Sequence, residues 1–223
     1  MGDNTDAPVR RLAALDSCAV SDALDSLGLP SAVTGIVRLA TARPIAGRAV
    51  TVKLGTERGV DGPPRHLCTT AVEAAGPGDV LVIEQRTGID AAGWGGVLSN
   101  AAQTRAIEGV IVDGPARDVE EAIALDFPVY ARGATARTAR GRIFELGDGV
   151  PVALGDVTVH PGDLVLADAS GITIIPADRA DDVLATAERI TEKERLMTKA
   201  VRAGDPVSQV MGADYEAMLD DGG

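Results

Sequence analysis

Residues 91–118, AAGWGGVLSNAAQTRAIEGVIVDGPARD, restrict the possible folds of this chain more than any other segment. Gly93-Trp94-Gly95-Gly96 opens onto a run of small residues whose spacing predicts a helix over 97–105. Gly109-Val110-Ile111-Val112 has the continuous apolar character of a short buried strand. Asp113-Gly114-Pro115 then predicts a turn that delivers Arg117 and Asp118 side by side at the start of another helix. Pro115 suits the first position of that helix, where its missing N–H would be unpaired anyway.

Two helix N-termini are therefore expected beside one strand end. A helix N-terminus offers free N–H groups and partial positive charge, which suit a carboxylate or phosphate. Glycine lets such a ligand approach the backbone because no Cβ stands in the way. Arg117 can grip a carboxylate through two parallel hydrogen bonds. Asp118 is a hard oxygen donor suited to Mg2+ or Mn2+. The pattern predicts a site for a small anion beside a divalent metal. The plainer alternative is that Asp118 only offsets a helix dipole and Arg117 is a surface charge. A dinucleotide fingerprint does not fit, because GxGxxG would need glycine at position 98, where Leu98 stands.

Elsewhere the expected elements are mixed. Residues 1–8 are polar and acidic and read as a disordered start. Helices are expected over 9–15, 65–75, 119–125 and 177–203, the last ending at Gly204. Another is expected from Ser21, as its N-cap, to Gly28. Strands are expected over 47–54, 79–83, 127–131, 152–154, 157–159, 163–167 and 172–175, with Gly155-Asp156 closing a hairpin. Residues 59–64 read as a loop, and 133–149 as a connection long enough to edge a site. Strands crowd the second half and no sustained βαβ alternation is evident. The pattern is α/β in the α+β sense, not a doubly wound Rossmann sheet.

Other chemistry-bearing residues read more quietly. Lys53 lies on the polar phase of a strand that alternates Val50 and Val52 against Thr51 and Lys53, so it reads as solvated rather than as a Schiff-base lysine. His66 and His160 belong to no HExxH or Cys/His grouping and read as surface or packing histidines. Asp22 and Asp25 read as dipole partner and surface charge. Arg137, Arg140 and Arg142 could supply a second anion grip or form a solvated basic loop.

A core for one domain is available, since 45% of the 223 residues are apolar and no Pro/Ser-rich linker divides them. Only Trp94, Phe127, Tyr130, Phe144 and Tyr215 are aromatic, so Ala, Val, Leu and Ile must fill it. The net charge of −12 argues against a nucleic-acid surface. An acidic protein that binds an anion must concentrate positive charge in one place. After Arg202 come five acids and no base, a tail expected to fray. Cys18 and Cys68 have no metal or redox spacing and read as buried or semi-buried thiols in a reducing cytoplasm. No signal peptide, membrane span or myristoylation site is expected.

The block GWGGVLSNAAQTRAIEGVIVDGPARD resembles the signature of the RraA-like family. That family includes the 4-hydroxy-4-methyl-2-oxoglutarate (HMG) and 4-carboxy-4-hydroxy-2-oxoadipate aldolases and the regulator of ribonuclease E activity. The resemblance extends to VSDALDSLGL (20–29), IAGRAVTVK (45–53), PGDVLVIE (77–84), FPVYARG (127–133) and PGDLVLADASGITIIP (161–176). It covers roughly residues 9–204 and leaves 205–223 as an acidic tail. It implies a single-domain swivelling β/β/α sandwich, assembled as a homotrimer or a dimer of trimers with sites at subunit interfaces. It also implies that the amides of Gly95, Gly96, Val97 and Leu98 hold a substrate carboxylate. Arg117 would hold the same 2-keto acid from the other side, and Asp118 would ligate Mg2+ or Mn2+. A glutamate from a neighbouring subunit's C-terminal helix would support the metal's water, with Glu194 as the match and Glu192 as the fallback, or else these are solvated helix charges.

The implied activity is that of a class II, metal-dependent aldolase that cleaves a 2-keto acid through a pyruvate enolate and also decarboxylates oxaloacetate. The alternative is a non-catalytic regulator that binds a ribonuclease or another protein. One departure bears on both. The family's aldolases carry an acid twenty-one positions before the arginine, and counting back from Arg117 lands on Gly96. Losing a carboxylate that orients the metal's water weakens affinity or activity by about 10- to 100-fold.

Overall fold

Residues 45–134 alternate apolar runs with short helices, and each helix returns the chain so that the next strand runs parallel to the last. In the computed structural model, which describes residues 6–57 and 66–212, α1 (Ala7–Leu12), α2 (Ser17–Ser26) and β1 (Val37–Ala40) come first. Then follow β2 (Ile45–Gly55), α3 (Thr69–Ala74), β3 (Asp79–Glu84), α4 (Gly96–Thr104), β4 (Gly109–Ala116), α5 (Val119–Ala124) and β5 (Val129–Ala134). Strands β2, β3, β4 and β5 pair in parallel in that order. This is a βαβ alternation over four strands, contrary to the sequence reading. The helices expected over 65–75, 97–105 and 119–125 are found as crossovers of six to nine residues, and what the linear pattern did not convey is that the strands they join pair in parallel.

Antiparallel strands complete a mixed, curled sheet. β6 (Phe144–Asp148) and β9 (Leu164–Ala167) share one edge of β2, β9 along residues 45–48 and β6 along 52–55. β10 (Ile172–Ile175) extends β9, and β1 covers β5. β7 (Val152–Leu154) and β8 (Val157–Val159) form a separate hairpin, with Gly155 at φ +57° as its turn signal requires. Then come α6 (Ala180–Ala203) and α7 (Val207–Val210). No helix among the described residues is long and apolar enough to cross a membrane.

Both faces of the sheet are covered, which is why its central strands read as unbroken apolar runs. Leu81, Ile83, Val110 and Val112 pack with Trp94, Leu98 and Phe127 on the side of α3, α4 and α5. Val80, Val82, Ile111 and Tyr130 pack beneath the β7–β8 hairpin. A third cluster joins α1, α2 and α6 to Leu164 and Leu166. The alternation in β2 is between a buried and a half-buried phase, and it slips by one residue at Thr51 and Val52. Thr51, expected on a polar face, is fully buried, and its Oγ1 donates to Val150 O at 2.6 Å.

Several predicted boundaries move. The chain is helical from Ala7, so the disordered start does not extend through residue 8, and residues 1–5 lie outside the described residues. α2 is capped by Asp16, whose carboxylate accepts the Ala19 N–H at 2.9 Å, and Ser21 lies inside the helix. Its end is as expected: Gly28 is at φ +67°, and the Leu29 N–H returns to Leu24 O at 2.9 Å. β6 lies within the expected 133–149 connection, because the free edge of β2 supplies its partner. α7 occupies part of the acidic tail, while the predicted loop 59–64 and residues 213–223 lie outside the described residues. Both thiols are free, Cys68 buried as expected and Cys18 exposed.

Candidate functional site

Main-chain contacts draw the glycine run onto the end of β4. The Gly93 N–H donates to Pro115 O at 3.0 Å, the Arg117 N–H donates to Trp94 O at 3.0 Å, and Trp94 bridges to Ala116 as in a parallel ladder. β4 therefore runs on to Ala116, with its register against β5 shifted between Val112 and Pro115. This corrects the predicted turn and the placing of Pro115 at a helix start. Pro115 lies in the strand, where its carbonyl accepts the Gly93 bond and its missing N–H is tolerated at an irregular position. α5 begins at Val119, the start of the helix expected over 119–125, so Pro115 is not its first residue.

Trp94 anchors this junction. It is 1% exposed, stacks on Phe127 with ring centroids 6.2 Å apart, and donates from Nε1 to Ser99 Oγ at 2.9 Å in α4. Gly93 is required by close approach, since a Cβ there would overlap Gln85 Oε1. The start of α4 is thereby pinned against the residues that follow β4.

Asp118 sits at φ +57° and ψ 39°, a left-handed conformation that Asp tolerates better than most residues. Its carbonyl accepts the first N–H bonds of α5, but its side chain serves the other helix. The Gly96 N–H donates to Asp118 Oδ2 at 2.9 Å, and Arg117 Nε lies 3.4 Å from the same oxygen. The two adjacent residues thus meet at the N-terminus of α4. Of the two helix ends expected here, the one that matters is that of α4. α5 is six residues long and contributes little dipole.

Gly95, Gly96, Val97, Leu98, Arg117 and Asp118 line one pocket of about 80 Å³, room for several waters or a small acid. The candidate residues separated by the length of α4 and β4 are brought together as the sequence led us to expect. His66, Thr138 and Ala139 also line it. His66 precedes α3, with Nδ1 3.0 Å from Leu67 O. Thr138 and Ala139 come from the connection after β5, held where the Ala92 N–H donates to Arg137 O at 2.9 Å. Only the length of that connection hinted at them. No sequence signal pointed to His66.

The remaining candidates lie elsewhere. Arg137 pairs with Asp90 at 3.4 Å and Arg142 donates to Thr138 O at 3.1 Å, and no arginine of that group lines the pocket. Lys53 lies 3.5 Å from Glu84 at the solvent edge of β2. His160 Nδ1 is 3.7 Å from Asp163. Glu194 does not line this pocket within the chain. It is half-buried on α6, where burial, and then the charges of Asp16 and Asp22, push its pKa up. Glu192 is engaged by Arg195 through two 2.7 Å bonds. Asp22 lines a second cavity with Ser17, Cys18 and Ser21, its pKa raised by burial and by Asp25 and Asp16.

Among the described residues no three His, Cys, Asp or Glu side chains gather as a metal cage. The pocket offers instead an oxygen donor at an open mouth, with the Asp118 side chain 42% exposed. Mg2+ commonly takes one or two carboxylates and keeps several waters, so this donor set fits a hydrated hard cation.

Comparison with known proteins places these features in context. A family model described as RraA-like, Aldolase/RraA, matches residues 17–174. The chain is 30% identical over 203 residues to protein DlpA of Legionella pneumophila, covering 90% of this chain but 32% of that protein, so it spans about a third of that relative's length. It is 31% identical over 191 residues to a Halalkalibacterium halodurans protein provisionally named 4-hydroxy-4-methyl-2-oxoglutarate aldolase, covering 84% of this chain and 85% of the relative. Among solved structures, Streptomyces coelicolor RraAS2, described as an unusual member of the RNase ES inhibitor RraA protein family, superposes with a TM-score of 0.74. That match has 27% identity and covers 86% of this chain and 98% of the other.

Proposed function

The chain belongs to the RraA-like family, and from that premise we propose that it is a divalent-metal-dependent carbon–carbon lyase acting on a 2-keto acid. The observation that carries this reading is the convergence of Arg117, Asp118 and the N-terminus of α4 on one pocket. The provisional aldolase name of the Halalkalibacterium relative supports it.

Each residue has a task in this reading. Asp118 holds Mg2+ or Mn2+. The Gly96 N–H is already given to Asp118, so the first-turn N–H groups of Val97 and Leu98 are left for a substrate carboxylate. Arg117 grips the keto acid from the other side and supplies the local positive charge that a chain of net charge −12 must concentrate. When bound, the divalent ion supplies Lewis-acid polarisation of the keto oxygen, which stabilises negative charge as the bond breaks. Val97 is 83% exposed beside the pocket, which suits a site completed by a second subunit in a trimer or hexamer. Glu194 of that subunit is the residue we assign to support the ion's water.

Pyruvate release from oxaloacetate and from HMG tests the proposal, with Mg2+, with Mn2+ and with EDTA. Metal-dependent turnover that Asp118→Ala abolishes is the expected result. Turnover that survives both EDTA and Asp118→Ala removes metal catalysis from consideration. A second reading, a non-catalytic regulator of a ribonuclease or another protein, draws on the likeness to RraAS2 and on Gly96. It predicts no turnover above the metal-only blank and equal ribonuclease capture by the parent and Asp118→Ala.

A further inference from the structure

The pocket that holds Arg117 and Asp118 contains a third titratable side chain, His66, which the lyase reading leaves without a task. Cleavage of a 4-hydroxy-2-keto acid needs a group that removes the hydroxyl proton and returns one to carbon. Arg117 stays protonated and cannot take it. Asp118 is occupied: it accepts the Gly96 N–H at 2.9 Å and has Arg117 Nε 3.4 Å away, besides its assigned hold on the ion. Among the described residues that line this pocket, His66 is therefore the side chain left to carry a proton near neutral pH. Its Nδ1 lies 3.0 Å from Leu67 O. A carbonyl only accepts, so the neutral ring carries its proton on Nδ1 and keeps a lone pair on Nε2. The backbone that carries the ring is held too. Thr69 Oγ1 donates to His66 O at 2.8 Å, and the Cys68 N–H donates to Glu145 Oε2 at 2.5 Å, which ties the turn before α3 to β6. His66 is exposed, so water reaches it at the mouth of the pocket.

We propose that His66 is the acid–base residue of the carbon–carbon cleavage. This rests on the lyase reading. Nε2 takes the C4 hydroxyl proton as the C3–C4 bond breaks. The C4–O bond becomes the carbonyl of the departing product, and the C3–C4 electron pair passes into the enolate of pyruvate. The imidazolium then gives its proton to C3 and pyruvate leaves, so the ring ends as it began and no further reactant is consumed. Loss of carbon dioxide from oxaloacetate takes no proton from the substrate as its bond breaks. Only the enolate is protonated afterwards, which water at the exposed mouth can do as well. The two reactions therefore make unequal demands on His66. A histidine that only packs the pocket wall, or only binds substrate charge, affects both alike.

Exchange of the pyruvate methyl protons in D2O, followed by proton NMR with Mg2+ present, reads the proton transfer with no carbon–carbon bond broken. Pyruvate is the common product, so this readout does not depend on the natural substrate. Glutamine at 66 can keep an N–H on Leu67 O but has no basic nitrogen. His66→Gln should slow methyl exchange and the kcat of HMG cleavage by about 100-fold or more, with little change in KM. Oxaloacetate decarboxylation should fall far less. Mn2+ binding, read from loss of the free-ion paramagnetic resonance signal, should be unchanged. Equal losses on oxaloacetate and HMG, a loss confined to KM, or weakened Mn2+ binding makes His66 a wall or binding residue and overturns the acid–base role. Parental exchange in His66→Gln, or a parent that decarboxylates oxaloacetate but exchanges no pyruvate protons, overturns this inference alone. A parent that shows no metal-dependent reaction of any of the three kinds overturns the lyase reading and this inference with it.

Discussion

Asp118 does three jobs at once, and a series of substitutions separates them. Its carboxylate caps α4 through the Gly96 N–H, its backbone is left-handed at φ +57°, and its charge is the proposed metal seat. Asp118→Asn keeps an oxygen for Gly96 and a residue that tolerates the left-handed region. It should cost only about 0.5–1 kcal/mol, the difference between a charge-assisted and a neutral hydrogen bond. Asp118→Gly loses the cap, about 1 kcal/mol because water can reach the freed N–H, but relieves the backbone. Asp118→Ala loses the cap and carries a left-handed cost of about 1–2 kcal/mol, so the two together reach about 2–3 kcal/mol. Asn and Gly are both expected within about 1 kcal/mol of the parent, with Ala clearly below them. Turnover behaves differently, because all three lack the charge and all three should lose metal-dependent pyruvate release. Urea unfolding midpoints and the pyruvate assay, run on the same preparations, check both halves. Ala as stable as Gly would refute the strained backbone. Asn costing as much as Ala would refute the cap, and Asn with parental turnover would refute the role of the charge.

Arg117→Lys replaces a planar two-point grip by a single point charge, and should raise KM about 10-fold for the loss of one charged hydrogen bond while changing kcat less. Initial-rate kinetics over a range of oxaloacetate concentration will show the split. Asp113 is buried, with a side chain 1% exposed that accepts bonds from Arg132 Nε and the Gly155 N–H. Asp113→Ala should cost about 3 kcal/mol, the low end for a broken buried pair because Arg132 is 40% exposed and can rehydrate, and denaturant unfolding measures it. Burial pushes the Asp168 pKa up, but bonds from Ser17 N–H and Oγ and from the Ser170 and Gly171 N–H groups outweigh it, leaving the pKa below the ordinary carboxylate value. The stability this contributes is present above the unfolded pKa of about 3.9 and is lost as pH falls through the lowered folded value. Ser17→Ala removes one of those bonds, so its unfolding free energy should fall less steeply than the parent's on acidification below about pH 4.

The local pattern was sufficient wherever a residue's role depends on its neighbours in the chain. Gly28 and Gly204 stop helices because a left-handed residue must follow the last turn, and both are found there. The Gly155 hairpin, the apolar strands and the start of α4 follow from the same short-range rules. Arg117 and Asp118 were legible as a pair because they are adjacent, and the glycine run before α4 because it opens a helix.

What the sequence could not convey depends on elements meeting through space. β6 reads as a loop because its pairing energy comes from the edge of β2, about ninety residues earlier. The end of β4 reads as a turn because Trp94 and Gly93, its partners, belong to a different segment. Asp16, not Ser21, caps α2 because both are competent caps and tertiary packing selected where the helix begins. Glu121 is the sharpest case, since a Cβ on Gly96 would overlap its Oε2 and Asn100 Nδ2 in α4 donates to its Oε1 at 2.6 Å. In sequence it is a surface acid on a short helix, and Gly96 is a position where an acid is missing. Only the packing of α4 against α5 brings the absence and the carboxylate to the same point, because periodicity decides which face of a helix is buried but not which side chain it will meet.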